Sequence, residues 1–429
     1  MRSQTPREIA VQLLLKRNRS GQFIETLLDS ELSRISVNPR DRGLITELVY
    51  GVTRMQSLLD WLIARKTNGR TQKDTLRVLL HLGLYQMFWL DRIPNHASVN
   101  DTVELARQLG FGPQSGFINA LLRQYGREEI ATRALLSELR QKDPPLGFSH
   151  PNWLYRKWST QWGNEATAQL MEWNNQPAPV YARVNSLAGP AGDLLRLWET
   201  EGVSAEPFHQ SWFNESPLFQ LSAPKSIGSL DSFRSGKFYI QDPSTLLAPT
   251  LLAPLPGETI LDMCAAPGGK TTCLAALMKN QGRIIAYDPD LQRLNLLKEN
   301  CQRMLVTCVE AVHQPPQPLA QFDRVLVDAP CSNTGVMRRR VDLRWRITPE
   351  EIERLQHTQQ KLLADAARLI KPGGSLVYST CSLEPEENIN LVHQFLENSK
   401  NFELTSQRQL LPPTGQVDGA FAALLVRRA

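Results

Sequence analysis

The chain has 429 residues, of which 41% are hydrophobic and 21% are charged. This composition excludes a disordered or fibrous protein, and the length predicts two or three domains because a single core rarely grows so large. The net charge is only +5, but residues 1–140 hold 20 Lys and Arg against 14 Asp and Glu, whereas the remainder holds 28 against 29. This uneven distribution favours a polyanion such as nucleic acid as a partner of the first third, although a solvated helical surface has the same composition.

The sequence also argues against export, membrane insertion and a disulfide scaffold. The N-terminal segment carries charge on both sides of its apolar stretch and lacks a small-residue cleavage site. Apolar runs fall short of the roughly 18 residues that a membrane helix needs. Six cysteines, none in a CxxC pair, lie in the second half of the chain: Cys264, Cys273, Cys301, Cys308, Cys331 and Cys381. We therefore predict a cytoplasmic protein with free thiols.

Residues 1–140 are predicted to form an all-helical domain of six or seven helices. Thr5, Pro6 and Glu8 form the pattern of a capping box with proline at the first helical position. Apolar residues then recur at helical spacing, and Gly and Pro separate the stretches. Examples are Leu44, Ile45, Leu48, Val49 and Val52, and then Leu76, Leu79, Leu80 and Leu84.

Residues 141–236 are predicted to be a connecting region with a small α/β piece. Asp143-Pro144-Pro145 interrupts the helical pattern, and a helical stretch with Trp153 and Trp158 follows. Val180–Val184 has the composition of a strand, and Gly, Pro and Ser become frequent after it.

Residues 237–429 alternate strand, loop and helix, as is typical of an α/β Rossmann-like domain with a parallel sheet. The predicted strands are Thr259–Met263, Arg283–Asp288, Val306–Glu310, Arg324–Asp328 and Ser375–Thr380, with helices over 270–280, 290–304 and 349–371. Ligands of such sheets bind at the carboxyl ends of the strands, so the residues that follow each strand are the candidates for chemistry.

A Gly-rich turn follows the first of these strands and is the candidate ligand loop. It consists of Cys264, Ala265, Ala266, Pro267, Gly268, Gly269 and Lys270. Its spacing does not match the GxGxxG of dinucleotide sites, and a phosphate-binding P-loop needs glycine where Cys264 stands. S-adenosylmethionine is then the favoured ligand, and Asp288, at the end of the second strand, is placed to hold its ribose hydroxyls.

Two thiols follow two other strands. Cys331 comes just after Asp328, and Cys381 comes just after Thr380. A lone cysteine is more often an inert small hydrophobe, and Cys273, Cys301 and Cys308 are interpreted in that way. Two thiols at neighbouring strand ends instead indicate a nucleophile, because a thiolate is polarizable and accessible near neutral pH.

Three motifs in this order resemble the RNA cytosine-C5 methyltransferases. They are LDMCAAPGGKT (261–271), DAPCSNTG (328–335) and STCSLEPEEN (379–388). FYIQDPSTLLA (238–248), HPNWL (150–154) and NNQPAPVYARVN (174–185) extend the resemblance upstream, and the first domain resembles the NusB-type RNA-binding module. The combination is similar to the RsmB (Sun/Fmu) branch of bacterial small-subunit rRNA methyltransferases over nearly the whole chain.

The resemblance implies roles for the site residues. Cys381 would attack C6 of a cytosine, Cys331 would assist loss of the C5 proton and release of the enzyme, and Asp328 would hydrogen-bond the base beside the cofactor. Reasoning from the residues alone does not choose between the two cysteines as nucleophile. Residues 264–270 would hold the methionine part of the cofactor and Asp288 its ribose, while Lys270 would face either the cofactor carboxylate or the base.

Two departures from the family pattern affect these expectations. His313 stands where relatives carry an acidic residue near the adenine, so it is the candidate adenine contact although a solvent-facing histidine is an equal alternative. Val341 stands where proline is common, after three consecutive arginines. Those arginines, Arg338, Arg339 and Arg340, are predicted with Arg344 to bind phosphates, the alternative being a solvated charge run.

Glu384, Glu386 and Glu387 follow Cys381 closely and either orient its loop or form an ordinary acidic helix start. The histidines show no metal-ligand spacing, and we predict no metal and a monomer. The predicted partner is small-subunit rRNA. The alternatives are a methylase of tRNA or another RNA, a P-loop nucleotide-binding protein, and an RNA-binding factor without activity.

Overall fold

The computed structural model describes residues 4–222, 226–316 and 321–429. These residues form two compact units, each held together by contacts within it. The first unit holds residues 4–176 together with Met337–Arg346, and the second holds Pro177–Val336 and Ile347–Ala429 within the described ranges. These units do not coincide with the three predicted domains 1–140, 141–236 and 237–429, which stay a prediction.

The main part of the first unit is helical, as predicted. Its helices are α1 (Pro6–Ser20), α2 (Ile24–Arg34), α3 (Pro39–Arg54), α4 (Gln56–Thr67), α5 (Asp74–Trp89), α6 (Asn95–Gln108), α7 (Ser115–Arg127), α8 (Glu129–Lys142), α9 (Pro144–Gly147) and α10 (Asn152–Asn175). The capping box at Thr5 is present, since its hydroxyl accepts from the amide of Glu8 and its own amide donates to the Glu8 carboxylate. Helix α5 is apolar around most of its circumference, so it is buried at the centre of the helical core.

A segment from the second half of the chain completes this unit. Val341 is fully buried in the helical core, and Asp342 accepts hydrogen bonds from Arg17 Nε at 2.7 Å and from the amide of Ile24 at 2.9 Å. The Trp345 indole donates to the carbonyl of Thr53 at 2.7 Å. Met337–Arg346 is therefore part of the helical core rather than a free loop.

This segment corrects one expectation about its arginines. Arg344 is fully buried and donates to the carbonyl of Asn174 at 2.9 Å and to Asn175 Oδ1 at 2.7 Å. Arg338 is also buried, and its guanidinium carbon lies 4.1 Å from the centre of the Trp173 ring. The prediction that these two arginines bind phosphates is wrong, because both side chains are buried within the first unit. Arg340, in contrast, is exposed.

The second unit contains two sheets. A four-stranded antiparallel sheet has the order β2-β3-β1-β4, with β1 (Val180–Val184), β2 (Ser204–Gln210), β3 (Phe213–Ser222) and β4 (Phe238–Ile240), and helices α11 (Ala191–Glu201) and α12 (Asp231–Arg234) belong to the same stretch of chain. The sequence predicted β1 with its observed bounds, and the resemblance of residues 238–248 to a strand and helix ahead of the ligand loop predicted β4, whereas β2 and β3 were missed.

The larger sheet has seven strands in the order β10-β11-β9-β8-β5-β6-β7. The strands are β5 (Thr259–Met263), β6 (Arg283–Tyr287), β7 (Val309–Val312), β8 (Phe322–Asp328), β9 (Ile370–Thr380), β10 (Phe402–Leu410) and β11 (Ala420–Arg427). Strands β5 to β9 pair in parallel, and β11 pairs antiparallel with both β9 and β10. The helices are α13 (Leu247–Leu252), α14 (Gly269–Leu277), α15 (Leu291–Arg303), α16 (Pro349–Leu369), α17 (Ile389–Asn398) and α18 (Pro412–Gly415). This is the predicted Rossmann-like fold.

One predicted strand is misplaced. Val306–Glu310 was expected, but β7 begins at Val309, so Cys308 precedes the strand. The reason is the end of α15, where Leu305 takes a left-handed conformation (φ +59°) and the amide of Val306 returns to the carbonyl of Cys301 at 2.9 Å. Val306 is apolar because it packs beneath this helix end, not because it belongs to a strand. The prediction also missed β10 and β11.

Strand β5 lies at the switch point of the sheet, because β6 pairs on one side of it and β8 on the other. The loops that follow β5, β6, β8 and β9 therefore share one edge, which is where ligands bind in this fold. None of the helices in the described part of the chain has both the length and the apolar character that crossing a lipid bilayer requires.

Candidate active site

The two predicted thiols lie against each other at this edge. Strands β8 and β9 pair in parallel with Asp328 opposite Ser379, so the loops after them leave the sheet side by side. The Sγ atoms of Cys331 and Cys381 are 3.4 Å apart. Both side chains can thus face one small electrophile.

The two thiols differ in their surroundings. Cys381 is half-buried, and its thiol donates to Asn333 Oδ1 at 3.0 Å, while the Asn333 amide nitrogen donates to the carbonyl of Cys331 at 2.6 Å. Cys331 is buried. Its hydrogen bond to Cys381, its burial and the nearby charges of Cys381 and Glu387 raise the pKa of the Cys331 thiol well above its ordinary value. Cys331 is therefore held as a neutral thiol, and Cys381 is the more accessible of the two.

Asp328 is held by an ion pair beside the thiols. Its Oδ2 lies 2.6 Å from Lys270 Nζ, and its Oδ1 accepts from the Ser379 hydroxyl at 3.1 Å. Burial lowers the pKa of Lys270, but the charges of Asp328 and then Cys381 outweigh burial, so the net pKa is raised. Lys270 is therefore a permanent cation that faces the acid and thiol groups.

The Gly-rich loop has the backbone shape that a ligand loop needs. Cys264 and Gly268 both take positive φ angles, +60° and +101°. A Cβ on Gly268 would lie 3.2 Å from Leu297 Cγ, so a side chain there is both strained and crowded. Burial, followed by the charges of Asp328 and Asp288, raises the pKa of Cys264 to about 12, which leaves this thiol un-ionised and unsuited to act as a nucleophile.

The rest of the loop is packed rather than exposed. Ala265 and Ala266 are buried against α15, and the amide of Ala265 donates to the carbonyl of Tyr287 at 3.0 Å. The Ala266–Pro267 peptide bond is cis, and Gly269 begins α14. The loop is thereby tied to the end of β6.

Asp288 follows β6 and is fully buried. Its Oδ2 accepts from the amide of Ala266 at 3.2 Å and lies 3.5 Å from an Arg293 nitrogen, and its Oδ1 accepts from the amide of Asp290. Asp288 therefore orders the Gly-rich loop.

His313 comes one residue after β7 and is exposed. The residue before it, Val312, accepts a hydrogen bond at its carbonyl from the amide of Asp288 at 3.2 Å. The same edge of the sheet thus carries His313.

A second buried acid was not predicted. Asp262 lies inside β5 and is fully buried; its Oδ2 accepts from the Thr271 hydroxyl at 2.7 Å, but its Oδ1 has no hydrogen-bond partner among the described residues. Burial raises the pKa of Asp262 to about 7, against the lowering effect of the Thr271 hydrogen bond. A charged residue within an apolar strand was the sequence signal that could have identified it.

Glu387 was left open between two interpretations, and the structure decides between them. Its side chain is fully buried and accepts from Ser332 and Ser382, the residues next to the two cysteines. It is thus not an ordinary solvent-facing acid at a helix start.

Three family descriptions match successive parts of the chain. The NusB family matches residues 4–127, the ferredoxin-like domain of RsmF/B-like methyltransferases matches residues 150–212, and the 16S rRNA methyltransferase RsmB/F family matches residues 249–426.

Curated relatives match nearly end to end. A probable ribosomal RNA small subunit methyltransferase B from Bacillus subtilis is 33% identical and covers 94% of this chain and 90% of its own. The ribosomal RNA small subunit methyltransferase B of Cronobacter sakazakii is 35% identical over 98% of both chains.

Solved structures show the same architecture. The crystal structure of the protein PH0851 superposes with a TM-score of 0.79 at 26% identity and covers 99% of both chains. A methyltransferase homologue from Pyrococcus horikoshii is 32% identical with a TM-score of 0.58, covering 66% of this chain and 98% of that one. The succession of matched families and the relatives that are 33–35% identical over at least 94% of this chain agree, and the chain belongs to the 16S rRNA methyltransferase RsmB/F family.

Proposed function

We propose that the protein transfers a methyl group from S-adenosylmethionine to C5 of a specific cytosine in 16S rRNA, through a covalent bond between Cys381 Sγ and C6 of the base. The observation that carries this proposal is the 3.4 Å separation of the Cys331 and Cys381 sulfur atoms beside the Asp328–Lys270 ion pair. The curated relatives named as small-subunit rRNA methyltransferases support the substrate class.

The chemistry explains why such a reaction needs a thiolate. C5 of cytosine is a poor nucleophile, but addition of the Cys381 thiolate to C6 turns the ring into an enamine whose C5 can take a methyl group. Cys381 is favoured for this step over Cys331 because it is more exposed and because Cys331 is held as a thiol. The closing steps break the C6–S bond and move the C5 proton: the Cys331 thiol protonates the departing Cys381 sulfur, and the Cys331 thiolate so formed accepts the C5 proton, so both cysteines return as thiols. Cys331, in contact with Cys381, is placed to assist this proton transfer.

Asp328 and Lys270 are the charged residues placed to act on the pyrimidine ring during thiolate addition. Thiolate addition places negative charge on the pyrimidine, and the Lys270 ammonium, held 2.6 Å from Asp328 Oδ2, is the nearby cation that stabilises it. The Asp328 carboxylate accepts from the exocyclic amine and so orients the ring. The side chain of Asp328 is 30% exposed and is already oriented by Lys270 and Ser379. Because this orientation exists before substrate binds, little reorganisation is needed during reaction.

The residues around the Gly-rich loop fit an S-adenosylmethionine molecule. The donor of the methyl group carries an ammonium, and Asp262 Oδ1 is a buried carboxylate oxygen without a partner among the described residues. Residues 264–270 would hold the methionine part, Asp288 the ribose and His313 the adenine. When bound, the cofactor supplies an electrophilic methyl group on a sulfonium.

The helical first unit is the proposed RNA-binding part. The NusB match covers residues 4–127, and the excess of basic residues lies in the first 140. A base in a duplex must leave its stack to reach Cys381, so the target is expected to be flipped out or single-stranded. Phosphate contacts should make the affinity fall as salt rises.

Bisulfite sequencing of rRNA and tRNA from cells with and without the gene tests the proposal. We expect one cytosine of 16S rRNA to lose its protection from deamination when the gene is deleted. Loss of protection only in tRNA would support the alternative RNA substrate, and unchanged protection in both RNAs would exclude cytosine-C5 methylation of either.

A further inference from the structure

We propose that Glu387 is a positioning residue that holds the Cys331 loop and the Cys381 loop in one fixed arrangement. The expected effect on turnover rests on the proposed function above, whereas the expected effect on the geometry of the two loops does not.

The contacts of Glu387 reach both cysteine loops at once. Oε1 accepts from the amide of Ser332 at 2.8 Å, and Oε2 accepts from the hydroxyls of Ser332 and Ser382, the latter at 2.5 Å. Ser332 directly follows Cys331, and Ser382 directly follows Cys381. One carboxylate therefore bridges the residues adjacent to the two sulfur atoms.

The carboxylate is itself anchored from outside the loops. Gln359 in α16 is fully buried, and its amide nitrogen donates to Glu387 Oε1 at 2.9 Å and to the carbonyl of Pro330 at 2.9 Å. The Tyr378 hydroxyl of β9 donates to the backbone carbonyl of Glu387 at 2.7 Å. The bridge is thereby fixed to a helix and to a strand of the domain.

A buried carboxylate is costly unless donors satisfy it, and these partners do so. A glutamine amide could replace the carboxylate only with its nitrogen facing the two serine hydroxyls, which would then have to accept instead of donate, and the negative charge would be lost. The negative charge of Glu387 also contributes to the raised pKa of Cys331, after the Cys381 hydrogen bond and burial. Geometry and charge thus favour one arrangement, with Cys331 as a thiol beside Cys381.

The experiment compares Glu387→Gln and Glu387→Asp with the control Glu258→Gln. Glu387→Gln removes the charge at constant size, while Glu387→Asp keeps the charge and shortens the reach. Glu258 accepts from Arg324 at 2.6 Å and from the amide of Leu255 at 2.7 Å, next to the start of β5 and away from the cysteine loops. The control therefore removes one carboxylate charge from the same domain, while the amide oxygen of glutamine can still accept from both donors.

Two readouts are measured on the full-length protein. Turnover with transcribed 16S rRNA and radiolabelled S-adenosylmethionine should fall about 100-fold in kcat for both Glu387 variants, with KM values within about threefold, because a displacement near 1 Å suffices for such a loss. Alkylation of Cys331 by iodoacetamide, followed by peptide mass spectrometry, should accelerate at least about tenfold in both variants, since the loss of a charge-assisted hydrogen bond shifts local opening by that factor.

The outcomes separate the two proposals. If the wild-type protein does not methylate the RNA, the proposed function fails, and the alkylation rates still decide the role of Glu387. Unchanged alkylation in both Glu387 variants, or acceleration in Glu387→Gln alone, would overturn the positioning role. Where Glu387→Asp is too unstable to assay, Ser332→Ala replaces it and is expected to change both readouts in the same direction by less.

Discussion

The Sγ atoms of Cys331 and Cys381 lie 3.4 Å apart, although 50 residues separate the two cysteines in the chain. The parallel pairing of β8 with β9 creates this proximity, because both loops leave the same edge of the sheet. The two thiols are chemically unequal there: Cys331 is buried and held protonated, and Cys381 is the more exposed.

Replacement of each cysteine by alanine should have a different result. Cys381→Ala should lower methyl transfer at least about a thousandfold while cofactor binding is retained, because the residue that attacks the base is gone. Cys331→Ala should accumulate a covalent RNA–protein adduct, because release of the enzyme is impaired. A denaturing gel with labelled RNA checks both. If the Cys381 variant accumulates the adduct and the Cys331 variant does not, the two roles are reversed.

Asp328→Asn should lower kcat by about 100- to 1000-fold, since the carboxylate that orients the base and holds the stabilising Lys270 cation in place is lost. The same change should lower the pKa of Lys270, because burial then acts without the opposing charge of Asp328. Lys270 should thus become more reactive towards an amine-acylating reagent at pH 8, measured by peptide mass spectrometry.

The control for this experiment is Asp323→Asn, which breaks a 2.6 Å ion pair with Lys371 away from the cysteine loops. It should leave kcat and the acylation of Lys270 unchanged. Equal acylation of Lys270 in the wild type and in Asp328→Asn would contradict the ion pair.

The buried Asp262 should make stability depend on pH. Its pKa is raised to about 7 in the folded state. The contribution of Asp262 to the free energy of unfolding is therefore largest below the unfolded pKa near 4, and it is lost as the pH rises to about 7. The loss amounts to about 1.4 kcal/mol for each unit by which the two pKa values differ. Urea unfolding of the wild type and Asp262→Asn from pH 4 to 8 should show the advantage of the wild type declining over this range. A constant difference would refute the raised pKa.

Binding of S-adenosylmethionine should change the ionisation of Asp262. An ammonium against Asp262 Oδ1 favours the ionised carboxyl, so cofactor binding at pH 6 should release a proton. Calorimetry in two buffers of different ionisation enthalpy measures this release. Proton release that persists in Asp262→Asn would assign it to another group.

Two arginines of one segment should behave oppositely. Arg344→Ala should lower the free energy of unfolding by about 3 kcal/mol, because it leaves the buried carbonyl of Asn174 and the side-chain oxygen Oδ1 of Asn175 without their donor. Arg340→Ala should leave stability unchanged and reduce the slope of log affinity for RNA against log salt by roughly one, since Arg340 is exposed. Thermal unfolding and filter binding distinguish the two effects, and an unchanged salt slope would show that Arg340 does not contact phosphate.

Patterns along the chain were sufficient to predict the class of fold and the edge of the sheet where the candidate site lies. Helix starts such as Thr5 and strands such as Thr259–Met263 follow from capping and periodicity within a few residues, and both are observed as predicted. The strand ends follow in turn, which places Asp288, Asp328 and Cys381 along one edge. The three motifs around these strand ends then indicated the family through their resemblance to known RNA methyltransferases.

The hydrogen-bond and ion-pair partners of each side chain, in contrast, become known only from the folded chain. Met337–Arg346 enters the helical core, so Arg338 is buried although a run of arginines is usually solvated. Glu387 bridges two loops, and Asp262 keeps one oxygen without a partner among the described residues. Such contacts join residues far apart in the chain. Local patterns report how a segment folds on itself and carry no signal about which distant groups satisfy a buried charge.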